Sequence, residues 1–267
     1  MTTYRPHQRG HTDLTALTEE PPLSRAALAG FVLALLAGLM ILVAGPGSRW
    51  GWWHFRTGFN LLRWGAYLGI AAALLCVAAL FLAWKARGKA LAGIGLLVAL
   101  AAFFVPWSTR NAARGLPPIH DITTDTRNPP AFVAVARLRA DAPNPVEYPG
   151  DSVAAQQQQA YPDLQPLRLA LPRHIAFQNA EAAAGAMGWK VVEANREEGR
   201  IEATDETFWF GFKDDVVIRV TSEGGVSRVD VRSKSRVGKG DAGANAARIR
   251  DYLERLRDRN PQAVVEQ

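Results

Sequence analysis

The sequence predicts an α+β protein: about three N-terminal transmembrane helices, then a soluble domain with an antiparallel sheet and helices packed on one face. Three observations carry that expectation. Three long apolar runs in the first half of the 267-residue chain contain no charge. The second half holds short strand-like runs joined by turns, and it closes on an amphipathic helix.

A polar leader, residues 1–25, comes first. Residues 26–44, AALAGFVLALLAGLMILVA, cover roughly 28 Å at ~1.5 Å per residue, against a hydrocarbon core of about 30 Å. Runs at about 64–84 and 90–107 follow, so the membrane region is read as 26–107 and the soluble domain as 108–267. A soluble helix needs a polar face, and these runs have none. Trp50, Trp52, Trp53, Trp64, Trp84 and Trp107 fall at or near run ends, where an amphipathic indole meets lipid headgroups. Gly65 and Gly69 have the spacing that lets helices approach closely, although ordinary small residues would read the same way. The long leader and the missing small-x-small site favour a retained signal anchor over a cleaved signal peptide.

Orientation follows Lys and Arg. Lys85, Arg87 and Lys89 crowd the second hairpin and favour a cytoplasmic location, which places the N-terminus inside and the soluble domain outside. Arg49, Arg56 and Arg63 in the first loop, with Arg110 and Arg114 after the third run, count against it. The expected location is a bacterial inner membrane, multi-pass, with a periplasmic C-terminal domain.

The formal charge of +6 invites a nucleic-acid reading, but its distribution argues otherwise. Before residue 110 there are 9 basic and 3 acidic residues, which leaves 22 of each beyond it. A domain without net charge lacks the electrostatic footprint that phosphate-backbone binding needs. The single cysteine, Cys76, sits in an apolar run and forms neither an intrachain disulfide nor a thiolate zinc cluster.

In the soluble half, residues 108–130 read as a polar connector, with a short apolar stretch at 133–138. Residues 140–166, rich in Pro, Gln and Asp, read as a long loop. A helix is expected over 173–187. Strand-like runs follow at 189–194, 200–204, 207–212, 216–220 and 227–235, with connections short enough to make neighbours antiparallel. The last helix, 241–259, carries the stripe Ala246, Ile249, Leu253 and Leu256.

GKGDAG at 238–243 has dinucleotide-loop spacing, but one helix follows and no parallel strand completes the unit. A glycine-rich turn with Asp241 as helix cap is favoured, and no cofactor is expected. On the preceding strand Val229, Val231 and Val237 alternate with Arg228, Asp230, Arg232, Lys234 and Arg236. That basic row is either a solvated face or, beside the helix start, an anion site. Asn245 is expected to tie down loop backbone. His120, Asp121 and Asp125 match no zinc or calcium spacing, so no metal site is assigned. No nucleophile elbow, Walker loop or zincin helix is present, and catalytic residues stay unassigned.

The segments PPIHDITTDTRNPPAF (117–132), EATDETFWFGFKDDVVIRV (202–220) and VDVRSKSRVGKGDAGANAARIRDYL (229–253) resemble the family known as domain of unknown function 1499. Its proteins occur in proteobacteria and plastids, sometimes behind transmembrane helices. The resemblance spans roughly 116–256. It implies His120, Asp121, Thr124, Asp125, Ser235, Arg236, Asp241, Asn245 and Arg248 as characteristic residues and candidate ligand contacts, with two distant segments meeting in one cleft. The leading expectation is a non-enzymatic membrane-tethered domain that binds a protein, lipid or anionic small molecule at the envelope. Its partners are then the lipid bilayer and an envelope protein or anionic ligand, with no nucleic acid. The alternative is a hydrolase-like enzyme using Asp121 or Asp125 with Arg236. A transporter ranks third, because the apolar runs lack intramembrane polar residues.

Overall fold

The computed structural model describes residues 24–82 and 86–265. Residues 1–23 of the leader, together with Trp84 and Lys85, lie outside the described residues. Helices α1 (Arg25–Arg49), α2 (Phe55–Leu82) and α3 (Ala86–Ala112) are each long and apolar enough to cross a membrane. α1 continues through Gly45 and Pro46 to Arg49, α2 begins at Phe55, ahead of its apolar run, and α3 continues past Pro106 to Ala112.

The chain divides into two compact units, Met1–Leu39 with Trp64–Phe104 and Met40–Arg63 with Val105–Gln267. In the first, small residues face one another at seven-residue intervals. Ala27 meets Ala79 and Ala92, and one layer on Ala34 meets Ala72 and Ala99. Between these layers the buried Cys76 thiol lies against Gly30 and Gly95, either of which would bring a Cβ within 2.8 Å of the sulfur. Gly69 lies against the Ala99 carbonyl, so here the small residue does set helix approach.

The second unit contains the sheet. Its strands are β1 (Asp121–Thr123), β2 (Leu167–Leu169), β3 (Lys190–Asn195), β4 (Arg200–Glu206), β5 (Lys213–Glu223) and β6 (Val226–Ser235), with every pairing antiparallel. The order is β1-β6-β5-β4-β3, and β2 shares with β1 the outer edge of β6. Between the two short strands Thr124 completes the ladder: its N–H donates to Val231 O and its Oγ1 accepts the Val231 N–H, both at 2.9 Å.

Helices α5 (Arg173–Ala186) and α6 (Ala244–Arg259) cover one face, as expected. Ile201, Ala203, Val216, Ile218, Val220, Val229 and Val231 meet Ala176, Phe177, Ile249, Tyr252, Leu253 and Leu256 there in one core. Trp189 stacks on Tyr252 with ring centroids 5.3 Å apart.

Several expectations change. β1 lies inside the supposed connector and β2 follows the supposed loop, both too short to show a period. That loop also holds α4 (Asp151–Ala160), which is recruited because Gln157 exchanges hydrogen bonds with the Thr123 backbone. Residues 207–212 form a tight turn between β4 and β5, with Gly211 at a φ of 69°, where a strand was expected. α6 starts at Ala244, three residues late, because Gly243 adopts the left-handed conformation.

The basic row of β6 is not a solvated face. Arg232 and Lys234 are buried under residues 125–148, and they fasten that segment by its carbonyls. Arg232 donates to Pro130 O and Val146 O, Lys234 to Glu147 O and Arg236 to Leu138 O. The strap is thus held by charge-assisted hydrogen bonds beside a small apolar cluster of Phe132, Val135 and Val217.

Tyr148, under the Arg232 guanidinium, has a buried hydroxyl without a hydrogen-bond partner. Burial, reinforced by Asp121, pushes the phenol from its ordinary 10.0 up to about 12. Its contribution to stability is therefore complete below pH 10 and lost as pH rises through about 12. Tyr148→Phe is expected to match wild type at pH 7 and to exceed it by about 1–2 kcal/mol near pH 11. Denaturant unfolding at both pH values checks this, and parallel behaviour at pH 11 would refute it.

Candidate functional site

The phase of each strand decides which polar groups face the helices. On β5, Asp214 is in phase with Val216 and Ile218; on β6, Ser233 and Ser235 are in phase with Val229 and Val231. All three are buried beneath the start of α6. They need partners there, and α6 supplies Asn245 and Arg248.

Asn245 is the hub. Its Oδ1 accepts from Ser233 Oγ and Arg248 Nη1, both at 2.6 Å. Its Nδ2 donates to Ser235 Oγ at 2.9 Å and to the His120 carbonyl at 3.2 Å. Arg248 reaches onward to Asp214 at 2.6 Å and to Asp205 at 2.8 Å. Burial pushes the Asp214 carboxyl above its ordinary value, and Arg248 pulls the other way.

The turn from Val237 to Gly243 closes over this network. Asp241 accepts the Gly243 and Asn245 N–H groups at 2.9 and 2.8 Å, so it caps the helix from two residues ahead of Gly243. The His120 imidazole donates to the Lys239 carbonyl across 3.2 Å. Gly240 lies so close to Pro118 that a Cβ would sit 3.0 Å from its Cα.

A cavity of about 220 Å³ opens at this end of the sheet, with Asp214, Ser235 and Asp241 in its floor. Its wall is aromatic: Phe55 and Phe59 from the first turns of α2, and Phe212 from the end of the β4–β5 turn. Among the described residues no Lys, Arg or His side chain lines it. Phe55 and Phe212 centroids lie 5.6 Å apart, Phe59 and Phe210 5.0 Å, and Phe210 stacks on Phe212 at 5.2 Å.

The β4–β5 turn is clamped on its other side. Arg49, at the end of α1, donates to the Thr207 and Phe208 carbonyls and pairs with Glu206 at 3.0 Å. Gly45 leaves room for the Trp209 ring, which a Cβ would approach to 2.4 Å, and Gly58 lies against Phe210. Phe208 itself is 91% exposed beside a loop whose Trp50 and Trp52 are 63% and 65% exposed.

Residues 121–256, a little over half of the chain, match the family described as Protein of unknown function (DUF1499). The chain belongs to this family. Among curated proteins none matches. The family match begins with β1 and ends within α6, so the three apolar helices precede it.

Of the nine candidate residues named from the sequence, five meet at the cavity end: His120, Ser235, Asp241, Asn245 and Arg248. The expected single cleft is not formed: of the first segment's candidates only His120 reaches this network, by its carbonyl. The others stand elsewhere. Asp121 is buried on the opposite face between Arg232 and Lys234. Arg236 is held by Asp215 at 2.8 Å. Thr124 and Asp125 border a second, polar cavity of about 460 Å³ with Gln157, Arg168 and Arg228. Asp125 pairs with Arg228, eight residues from Arg236 and so roughly 26 Å along β6 at ~3.3 Å per residue. The pairing of Asp121 or Asp125 with Arg236 in one catalytic cleft has no support in this geometry.

The basic row and the start of α6 also stand on opposite faces of the sheet. Asp241 already occupies the helix amides, so an anion there would meet a carboxylate. Among the described residues no three His, Cys, Asp or Glu side chains gather as a metal ion would need. Asp214, Ser233, Phe55 and Phe59 were not singled out from sequence. The signal existed for two of them: a charge or hydroxyl in phase with a buried apolar strand face demands a partner.

Proposed function

We propose that the protein is a membrane-anchored, non-enzymatic lipid-binding protein whose α+β domain works at the bilayer surface, in a bacterial inner membrane with the domain on the periplasmic side. The observation that carries the lipid reading is the composition of the cavity. Phenylalanines from the opening turns of a candidate membrane span form one wall, and Asp214, Ser235 and Asp241 form a polar floor. Such a site faces headgroups without asking a ligand to leave the interface. Exposed Trp50, Trp52 and Phe208 suit the same depth.

Periplasmic placement is supported by the basic hairpin at Lys85, Arg87 and Lys89. The opposing weight of the first loop is reduced, because Arg49 is neutralised by Glu206. Against an enzyme stands the state of the hydroxyl and carboxylate that do meet in the cavity, Ser235 and Asp214, which Asn245 and Arg248 already engage.

Two measurements test the reading. The double change Phe55→Ser and Phe59→Ser should remove most of the lipid that co-purifies with the protein in detergent, as read by mass spectrometry of the extracted lipid. An undiminished lipid complement would sink it. For placement, a Cys76→Ser chain with Gln262→Cys, a position exposed to solvent, should react with a membrane-impermeant thiol reagent in intact cells. Reaction only after lysis would put the domain in the cytoplasm.

A further inference from the structure

We propose that the cavity at Asp214, Ser235 and Asp241 receives the ammonium group of a zwitterionic phospholipid headgroup. The inference rests on the lipid-binding reading and adds the headgroup class to it.

Charge decides the class. Asp214 and Asp241 both border the cavity, and among the described residues no cationic side chain does. Asp205 and Asp214 share one guanidinium, that of Arg248, which approaches from the helix side. Asp241 is held by backbone amides instead of a cation. The floor is therefore net negative, and a bare phosphate or carboxylate entering it would be repelled.

The aromatic wall points the same way. Phe55, Phe59 and Phe212 bring three ring systems to one opening, with Phe59 and Phe212 centroids 6.0 Å apart. An alkylammonium is attracted to ring faces and sheds its water more readily than a small hard cation, which is why aromatic cages select such groups. A site with carboxylates alone would take a metal ion equally well; the rings favour an organic cation.

Size and position supply the rest. About 220 Å³ lies below the roughly 300–1,000 Å³ typical of sites that engulf a whole ligand, so the cavity suits a headgroup whose acyl chains stay outside. Phe59 is 47% exposed in the opening turns of α2, between Arg56 and Arg63 and just ahead of the apolar run that begins near Trp64, which suits headgroup depth. A lipid meets all four requirements: cationic, organic, small at the point of entry and tethered to the bilayer.

The test uses the full chain in detergent with dioleoyl phosphatidylethanolamine and dioleoyl phosphatidylglycerol in equal amounts, and native mass spectrometry counts one-to-one adducts. The expected result is at least a tenfold preference for phosphatidylethanolamine. Phe59→Ala should cut that adduct at least fivefold, and Asp241→Asn should erase most of the preference. Phe59 is half exposed, so its alanine variant is expected to fold even if the Asp241 variant does not. Equal or greater binding of phosphatidylglycerol, still sensitive to Phe59→Ala, would overturn the ammonium inference and leave a lipid site standing. Adducts insensitive to Phe59→Ala would overturn both. Displacement of the lipid by equimolar phosphoethanolamine would make the ligand a free amine and overturn the lipid assignment.

Discussion

Replacing Asp121 with alanine is expected to cost about 3–5 kcal/mol, a large part of the stability of a domain this size. Asp121 is fully buried. It accepts two hydrogen bonds from Arg232, at 2.9 and 2.8 Å, and pairs with the Lys234 ammonium at 2.9 Å. Lys234 is also fully buried, and burial already holds its pKa below the ordinary lysine value. Without Asp121 two cations share a dry site, and the strap over them loses its electrostatic reason to stay. The cheapest relief is for Lys234 to give up its proton, so its folded pKa drops further below the unfolded one. In that window the unfolded chain binds more protons, and stability therefore rises with pH. The Asp121→Ala deficit should accordingly shrink from pH 7 towards pH 10, and Lys234→Met in the same chain should restore part of it. Denaturant unfolding of the wild type and the two variants in detergent reads all of this. A loss below about 1 kcal/mol at pH 7 would contradict the buried-pair account. The same geometry changes what an Asp121 variant can report: lost binding or turnover would register a loosened fold, not a missing catalytic group.

How far the sequence carried the fold depended on the length of each pattern. The three apolar helices were legible from their unbroken apolar length, and α5, α6 and strands β3 to β6 because each repeats its period. β1 and β2 are three residues each, and a three-residue strand has no period to read. α4 is glutamine-rich and is held by long-range contacts, Gln157 on Thr123 and Gln158 on Thr126, which nothing local announces. At the site, the motif around Ser235, Asp241 and Asn245 was legible as a cluster because its residues are close in sequence. Phe55 and Phe59 were not, because they reach the cavity from a helix about 180 residues before it in the chain, and local spacing carries no information about such meetings. The basic row of β6 shows the same limit from the other side. Alternation correctly put Arg232 and Lys234 on one face, but whether that face meets water or a strap depends on residues some ninety positions earlier.

The strap has a second anchor, and its removal should cost nearly as much as the loss of Asp121. Glu202 on β4 is fully buried and accepts the N–H groups of Val133, Ala134 and Val135 at 2.9–3.1 Å, where the chain enters the short 3-10 helix Val135–Arg139. It also pairs with Arg200. Converging amides and a guanidinium make a site for an anion, and here the anion is built in. Glu202→Ala should cost about 3 kcal/mol, at the low end for a broken buried pair, because Arg200 keeps Glu193 and Glu198. Glu202→Gln is the sharper test, since it preserves size. A carboxylate presents two acceptor oxygens and no donor, whereas an amide turns one of them into a donor aimed at other donors. The glutamine variant is therefore expected to lose most of what alanine loses, and hydrogen exchange at the amides of residues 133–135 should quicken in both. Full protection with glutamine would mean that shape, and not charge, holds the strap on the sheet.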